Sequence, residues 1–322
     1  MRFLQNLILL TCIVTIACGS SVGNNGAKVN NTGLAYTGIT SQAAVTQYNW
    51  QPLAVGAYQQ GQTDSGIGIG AVGISSSNNI RPRGILVSQT LINGLKAIDV
   101  TSLLKSMGSD GVSNRTASIF GNCGGRGDYT IEIDDVTGAF NGTMNFFSFC
   151  SMNSIISGGT TFSGVINLIT QNFVNSKYTF NALTCAHMRD SITLQGSIAS
   201  SFTAATDSIN MTALVQDNTT GQVYKIDNLQ LELTYSGNYF DARLSGVHFD
   251  PQYGYIVLST SLPVRFYDTA YWPFQGEVIV NGNAGTRARL TVTSVGEFIV
   301  AVDTNGDGLF NHSTGSIAWN SM

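Results

Sequence analysis

Apolar and polar side chains trade places at every second residue through much of this chain. Examples are Thr130-Ile131-Glu132-Ile133, Gln230-Leu231-Glu232-Leu233-Thr234-Tyr235, Gly276-Glu277-Val278-Ile279-Val280 and Thr286-Arg287-Ala288-Arg289-Leu290-Thr291-Val292. A period of two sends alternate side chains to opposite faces of an extended strand, so such runs, broken by Gly, Asn and Asp, predict half-buried antiparallel strands. Composition agrees: charged residues make up 11% of the chain, against about 25% in an ordinary globular protein. Gly, Ser, Thr and Asn fill the deficit, and the Glu and Lys that helices use are scarce. Only residues 88–105 keep helical spacing, with Leu91, Leu95 and Ile98 on one side and Ser88 as a cap. The expected fold is all-β: an antiparallel meander forming a curved sheet, open barrel or sandwich, with one short helical segment and a small C-terminal β module.

A faint echo runs through the middle of the chain: Phe140-Asn141-Gly142-Thr143-Met144, Phe162-Ser163-Gly164-Val165-Ile166, Leu194-Gln195-Gly196-Ser197-Ile198 and Leu244-Ser245-Gly246-Val247-His248. The irregular spacing excludes a solenoid. It points to hairpins in which glycine sits at a recurring bulge or close strand approach. After Asp250 aromatic residues become dense, which sets the expected module boundary. The predicted organisation is a signal peptide over residues 1–17, a flexible Gly/Asn/Ser/Thr tether over 18–46, a main β domain over 47–249 and the module over 250–322.

The first eighteen residues carry an apolar run from Leu7 to Ala17 that closes on Cys18-Gly19-Ser20. At roughly 20 apolar residues per membrane-spanning helix this run is short for a permanent anchor, and it reads as a secretory signal. Thr15-Ile16-Ala17-Cys18 resembles the lipobox of bacterial lipoproteins, with Thr15 where an aliphatic residue is usual. The resemblance implies that Cys18 is acylated and that the protein is held at a membrane outside the cytoplasm. Gly19 after the cysteine implies the outer membrane, facing either the periplasm or the cell surface. The alternative is cleavage after Ala17 and soluble secretion. The formal net charge of -4 offers no basic face for a phosphate backbone, so no nucleic-acid partner is expected. In an oxidising compartment Cys123 and Cys150 are expected to pair, since each borders a strand-like run, leaving Cys185 free and buried.

The sharpest chemical signal is Asp303-Thr304-Asn305-Gly306-Asp307-Gly308-Leu309-Phe310-Asn311. Side-chain oxygens of Asp303, Asn305, Asp307 and Asn311, with the Leu309 carbonyl and a turn at Gly308, follow the spacing by which a loop wraps calcium. The loop resembles the first nine residues of an EF-hand-type loop, but Thr314 stands where a bidentate Glu would complete it. The competing reading is a pair of Asn-Gly and Asp-Gly turns without metal. Together with Asp250-Pro251-Gln252-Tyr253-Gly254-Tyr255, this ending resembles that of a group of uncharacterised bacterial lipoproteins, which implies a location and no catalytic residue.

Other motifs carry less. Arg126-Gly127-Asp128 spells an integrin-binding tripeptide that arises easily in a Gly-rich turn, and Gly68-Ile69-Gly70-Ala71-Val72-Gly73 lacks the helix a dinucleotide fingerprint needs. His187, His248 and His312 form no ligand or catalytic spacing, and Asp134-Asp135 reads as a turn. No catalytic site is expected. The leading function is a membrane-anchored envelope or surface lipoprotein with a structural or interaction role. A glycan- or protein-binding adhesin-like module using exposed aromatics near Tyr253, Tyr271 and Trp272 is the alternative, and a hydrolase with scattered carboxylates stands third.

Overall fold

The computed structural model describes residues 33–55, 112–121, 123–151, 154–187, 190–267 and 272–319. The leader, Cys18, the glycine triad at 68–73 and the helix expected at 88–105 lie outside the described residues. Fifteen strands follow in order: β1 (Val112–Phe120), β2 (Arg126–Asp134), β3 (Ala139–Ser151), β4 (Ser154–Asn167), β5 (Asn172–His187), β6 (Asp190–Phe202), β7 (Thr206–Asp217) and β8 (Val223–Ser236). Then come β9 (Tyr239–Asp250), β10 (Gly254–Tyr267), β11 (Gln275–Asn281), β12 (Arg287–Ser294), β13 (Glu297–Asp303), β14 (His312–Ser313) and β15 (Ile317–Ala318). Each strand from β1 to β14 hydrogen-bonds to the next, and β15 joins β14 along the outer edge of β13. The result is one curved, open, antiparallel sheet. Within the described residues helical structure is confined to a single turn at Gln51–Val55 and a 3-10 turn at Asn283–Gly285.

The alternation read from the sequence sets which face is buried. In β8, Tyr224, Ile226, Leu229, Leu231 and Leu233 enter the core while Gln230 and Glu232 face water. One apolar cluster runs from Ile131 on β2 to Val302 on β13 and includes Tyr178, Phe180, Phe298 and Trp319. A single sheet can enclose such a core only by bending. The register slips in mid-strand in the pairings from β3 to β11 except that of β6 with β7, which stay in register, and the slips fall near Ser148, Gly158, Ala182, Thr212, Asn228, Gly246, Ser261 and Gly276. Each slip inserts residues into one strand and sharpens its twist.

The glycines of the sequence echo fall into two sets. Gly196 and Gly246 adjoin these slips, which mark the bend line of the sheet, at φ 149° and 147°. A Cβ on Gly246 would lie 2.6 Å from the Leu229 Cα. Gly142 and Gly164 instead lie beneath the rings of Phe162 and Phe140 on the neighbouring strand. Bulge and close approach both occur, and the echo marks both.

Two expected boundaries are replaced by continuous structure. The sheet does not break at 249/250, because β9 and β10 pair there and Phe240 stacks on Phe266 at 4.9 Å in the common core. Gly33–Met322 forms one compact unit. The aromatic density after Asp250 therefore reflects core packing across shared strands. Residues 33–46, expected as tether, run along the sheet and bond to it through the backbone: Ala43 N–H to the Tyr255 carbonyl at 2.8 Å, and Asn283 N–H to the Ala43 carbonyl at 2.7 Å. Ala43 and Val45 are buried. Composition hid this segment because much of its attachment uses main-chain groups, with Tyr36 as its one aromatic anchor, packed edge-on against Phe249 at 5.7 Å and donating its hydroxyl to the Asp250 carbonyl at 3.0 Å.

Candidate functional site

The water-facing side of β2 to β8 is a polar surface laid out by register. One row crosses the strands as Thr130, Thr143, Thr161, Thr179, Ser197 and Thr212, each directly opposite the next. Two residues along, a second row runs Glu132, Asn141, Ser163, Lys177, Ala199, Asn210 and Gln230. Strand spacing of about 4.8 Å and about 3.3 Å per residue make this a two-track surface roughly 29 Å long, with the tracks about 7 Å apart. Two shallow hollows lie on it, of about 440 Å³ over β2 to β5 and about 520 Å³ over β4 to β8. They meet at Ser163 and Lys177, which line both.

Five cations elsewhere on the sheet, Arg126, Lys225, Arg265, Arg287 and Arg289, are held by carboxylates, whereas Arg115 and Arg243 are exposed like Lys177. Arg265 forms a two-pronged pair with Asp241 at 2.6 and 2.9 Å, which holds its guanidinium above the usual range. Arg126 lies 3.2 Å from Asp128, and Lys225 lies 3.2 Å from Asp227. Lys177 is exposed and forms no ion pair among the described residues. The Arg126-Gly127-Asp128 tripeptide lies within β2, its two charged ends joined to each other, and the Ser118 hydroxyl and then Arg126 hold Asp128 below the ordinary carboxylate range. It is not the open loop tip that an integrin ligand presents.

The Asp303–Asn311 segment closes on itself. Asp303 is buried at the end of β13 and accepts the N–H of Gly306 at 2.7 Å and of Gly308 at 2.9 Å. Arg287 on β12 stands 3.6 Å from the same carboxylate and donates to the Gly308 carbonyl at 2.6 Å. Asp307 accepts from Leu309 N–H and the Asn305 amide, while Asn311 accepts from Thr304 N–H. Leu309 is exposed, and the Phe310 ring caps Arg287 and Arg289 at 4.9 and 4.2 Å. The five residues read as calcium ligands are thus brought into one loop, with the side-chain oxygens of Asp303, Asn305, Asp307 and Asn311 engaged by the loop's own donors. No group of three or more His, Cys, Asp or Glu side chains suited to a metal occurs among the described residues.

Cys123 and Cys150 form a disulfide, and Cys185 is free and buried, its thiol pushed up to about 12 by burial. The disulfide ties the β1–β2 turn to the end of β3, where Cys150 N–H also bonds the Gly124 carbonyl. His248 is fully buried and stacks on Tyr224, whereas His312 is exposed on β14. Asp134 caps its turn by accepting Val136 and Thr137 N–H, which lower its pKa. Trp272 stacks on buried Trp319 at 5.8 Å and Tyr253 is exposed in the β9–β10 turn, while Tyr271 lies outside the described residues. Glu132 and Glu232 stand in different hollows, six strands apart.

Sequence reasoning missed the two-track face. Its signal was present as Thr at alternating positions in successive strands, but register alone aligns them. No protein-family model, curated protein or solved structure matches this chain.

Proposed function

We propose that this chain is a lipid-anchored protein of the bacterial outer membrane with a non-catalytic structural or interaction role, exercised through the polar face of β2 to β8. The anchor rests on the apolar run closing at Cys18. The interaction role rests on one observation: the hydroxyl and amide side chains of the face spread over seven strands, and the two carboxylates that line its hollows, Glu132 and Glu232, stand in separate ones. Acid–base hydrolysis of a glycoside needs two carboxyl groups within about 10 Å on either side of one bond. Calcium at the Asp303 loop is part of the proposal as a stabilising ion that would compete with Arg287 for the carboxylate.

Metabolic palmitate labelling with fractionation tests the anchor. The parent chain is expected in the membrane fraction with label, and Cys18→Ala is expected to lose both. Membrane retention of an unlabelled Cys18→Ala variant contradicts lipid anchoring.

A further inference from the structure

We propose that residues 33–46 form a pH-sensitive strap, seated on the β9–β10 turn at low pH and loosened as Asp250 beneath it ionises. The inference is independent of the lipid anchor and of the polar face.

Three observations carry it. The first is a seat shaped for the strap. A Cβ on Gly38 would stand 2.5 Å from the Pro251 Cα, and a Cβ on Gly254, at φ 100°, would collide with the Ser41 carbonyl. Glycine on each side lets the two backbones touch. The second is how lightly the strap is held there. Ile39 N–H reaches the Pro251 carbonyl at 3.3 Å, and Tyr255 N–H reaches the Ser41 carbonyl at 3.0 Å. Gln42 and Tyr255 make an isolated parallel bridge, and residues 39–41 are exposed. Exposed backbone hydrogen bonds with few buried side chains are the marks of a segment that opens locally. The third is a titratable group shut in at the contact. Asp250 is 6% exposed, and the Tyr36 hydroxyl that donates to its main-chain carbonyl also donates to the Ile39 carbonyl at 2.8 Å. One strap side chain therefore ties the strap to the residue that carries the carboxyl group.

The direction of the response follows from solvation. A carboxyl group shut away from water favours its proton, and the Gln252 and Tyr253 N–H groups offset this only in part. The seated strap thus holds Asp250 neutral to higher pH than the released strap does. By linkage, seating is full below the ordinary carboxylate range and weakens as pH rises through the raised value. A tenfold difference in acidity between the two states is a tenfold difference in seating between the two pH limits.

Other charged and titratable groups surround the seat. Tyr36, pushed up to about 12 by burial and then by Asp250, keeps its proton throughout. Lys225 on β8 stands over the Phe249 ring at 4.5 Å and pairs with Asp227, and Tyr253 and Tyr255 flank the turn. His248, two residues back on the same face of β9, is buried against Tyr224.

The test is amide hydrogen exchange of the full-length protein, read by mass spectrometry and corrected for intrinsic exchange. Between about pH 4 and about pH 8, protection over residues 36–45 is expected to fall at least about threefold more than protection over β12. Asp250→Asn keeps the turn's acceptor and is expected to hold the strap's protection level with that of β12. Asp227→Asn, at a carboxylate paired outside the seat, is expected to leave the fall in place. Tyr36→Phe keeps the ring on Phe249 without the hydroxyl, and is expected to lower protection at every pH with the slope unchanged. Equal pH dependence of the strap and β12 in the parent chain overturns the proposal without recourse to any variant. A fall that persists in Asp250→Asn also overturns it, since the titrating group would then be another, such as His248.

Discussion

Asp250 holds its carboxylate beneath the sheet surface at the start of the β9–β10 turn. Burial raises its pKa, and the N–H groups of Gln252 and Tyr253 that it accepts offset this only in part. The folded chain therefore keeps this proton to higher pH than the unfolded chain, whose carboxylate titrates near 3.9. The stabilising contribution of the protonated form is full below that value and is lost as pH rises through the raised one. Asp250→Asn keeps the turn's acceptor and removes the buried charge. Its melting temperature is expected to equal or exceed that of the parent at neutral pH, with the difference shrinking toward pH 4, as thermal scans across pH will read. Calcium belongs to the same scale. An ion that binds only the folded chain stabilises it by RT ln(1 + [L]/Kd), so millimolar calcium is expected to raise the melting temperature and Asp307→Ala to abolish the rise. Identical melting in calcium and chelator contradicts a metal at this loop. The loop's residues were legible in the sequence, but Arg287 was not, because it reaches Asp303 only through the β12–β13 register. The turn chemistry was partly legible. Asp134, Asn167, Asp217 and Asp250 each accept N–H groups two or three residues on, and a residue of positive φ follows at the fifth position. This is the Asx-turn habit of short polar side chains.

At the scale of elements, the bend line decides how long strands can enclose a core. Gly246→Ala must accommodate both a positive φ and a Cβ at 2.6 Å from the Leu229 backbone. It is expected to destabilise by more than about 2 kcal/mol. Gly237→Ala, at φ 67° with open space around the added Cβ, is expected to cost about 1 kcal/mol. Denaturant unfolding of the two variants separates strain at the bend from ordinary turn strain, and equal losses contradict the bend as a structural hinge of the sheet. The disulfide acts on a neighbouring element. Closing a 27-residue separation removes unfolded-chain entropy worth about 3–4 kcal/mol, so Cys123→Ser with Cys150→Ser is expected to lower the unfolding midpoint accordingly. The cysteine pairing was legible because each residue borders a strand. The bend line was not, since a single glycine in an alternating run does not say whether it relieves a bulge or seats a neighbour's ring.

At the scale of the molecule, one sheet supplies both the core and the exposed face, so the same alternation that buries Phe162 presents Thr161 and Ser163. Strand type and amphipathic sense were legible from period-two patterning. Continuity from β1 to β15 was not, because pairing of β9 with β10 and docking of residues 33–46 are long-range main-chain events. The polar face is the central claim, and thiol labelling tests it most directly. In the folded protein Thr161→Cys is expected to react rapidly with a water-soluble maleimide, while native Cys185, buried on the opposite side of the sheet, reacts only after unfolding. Protection of the residue-161 thiol in the folded protein, or prompt labelling of Cys185, would contradict the assignment of the β2–β8 face to solvent and of its reverse to the core.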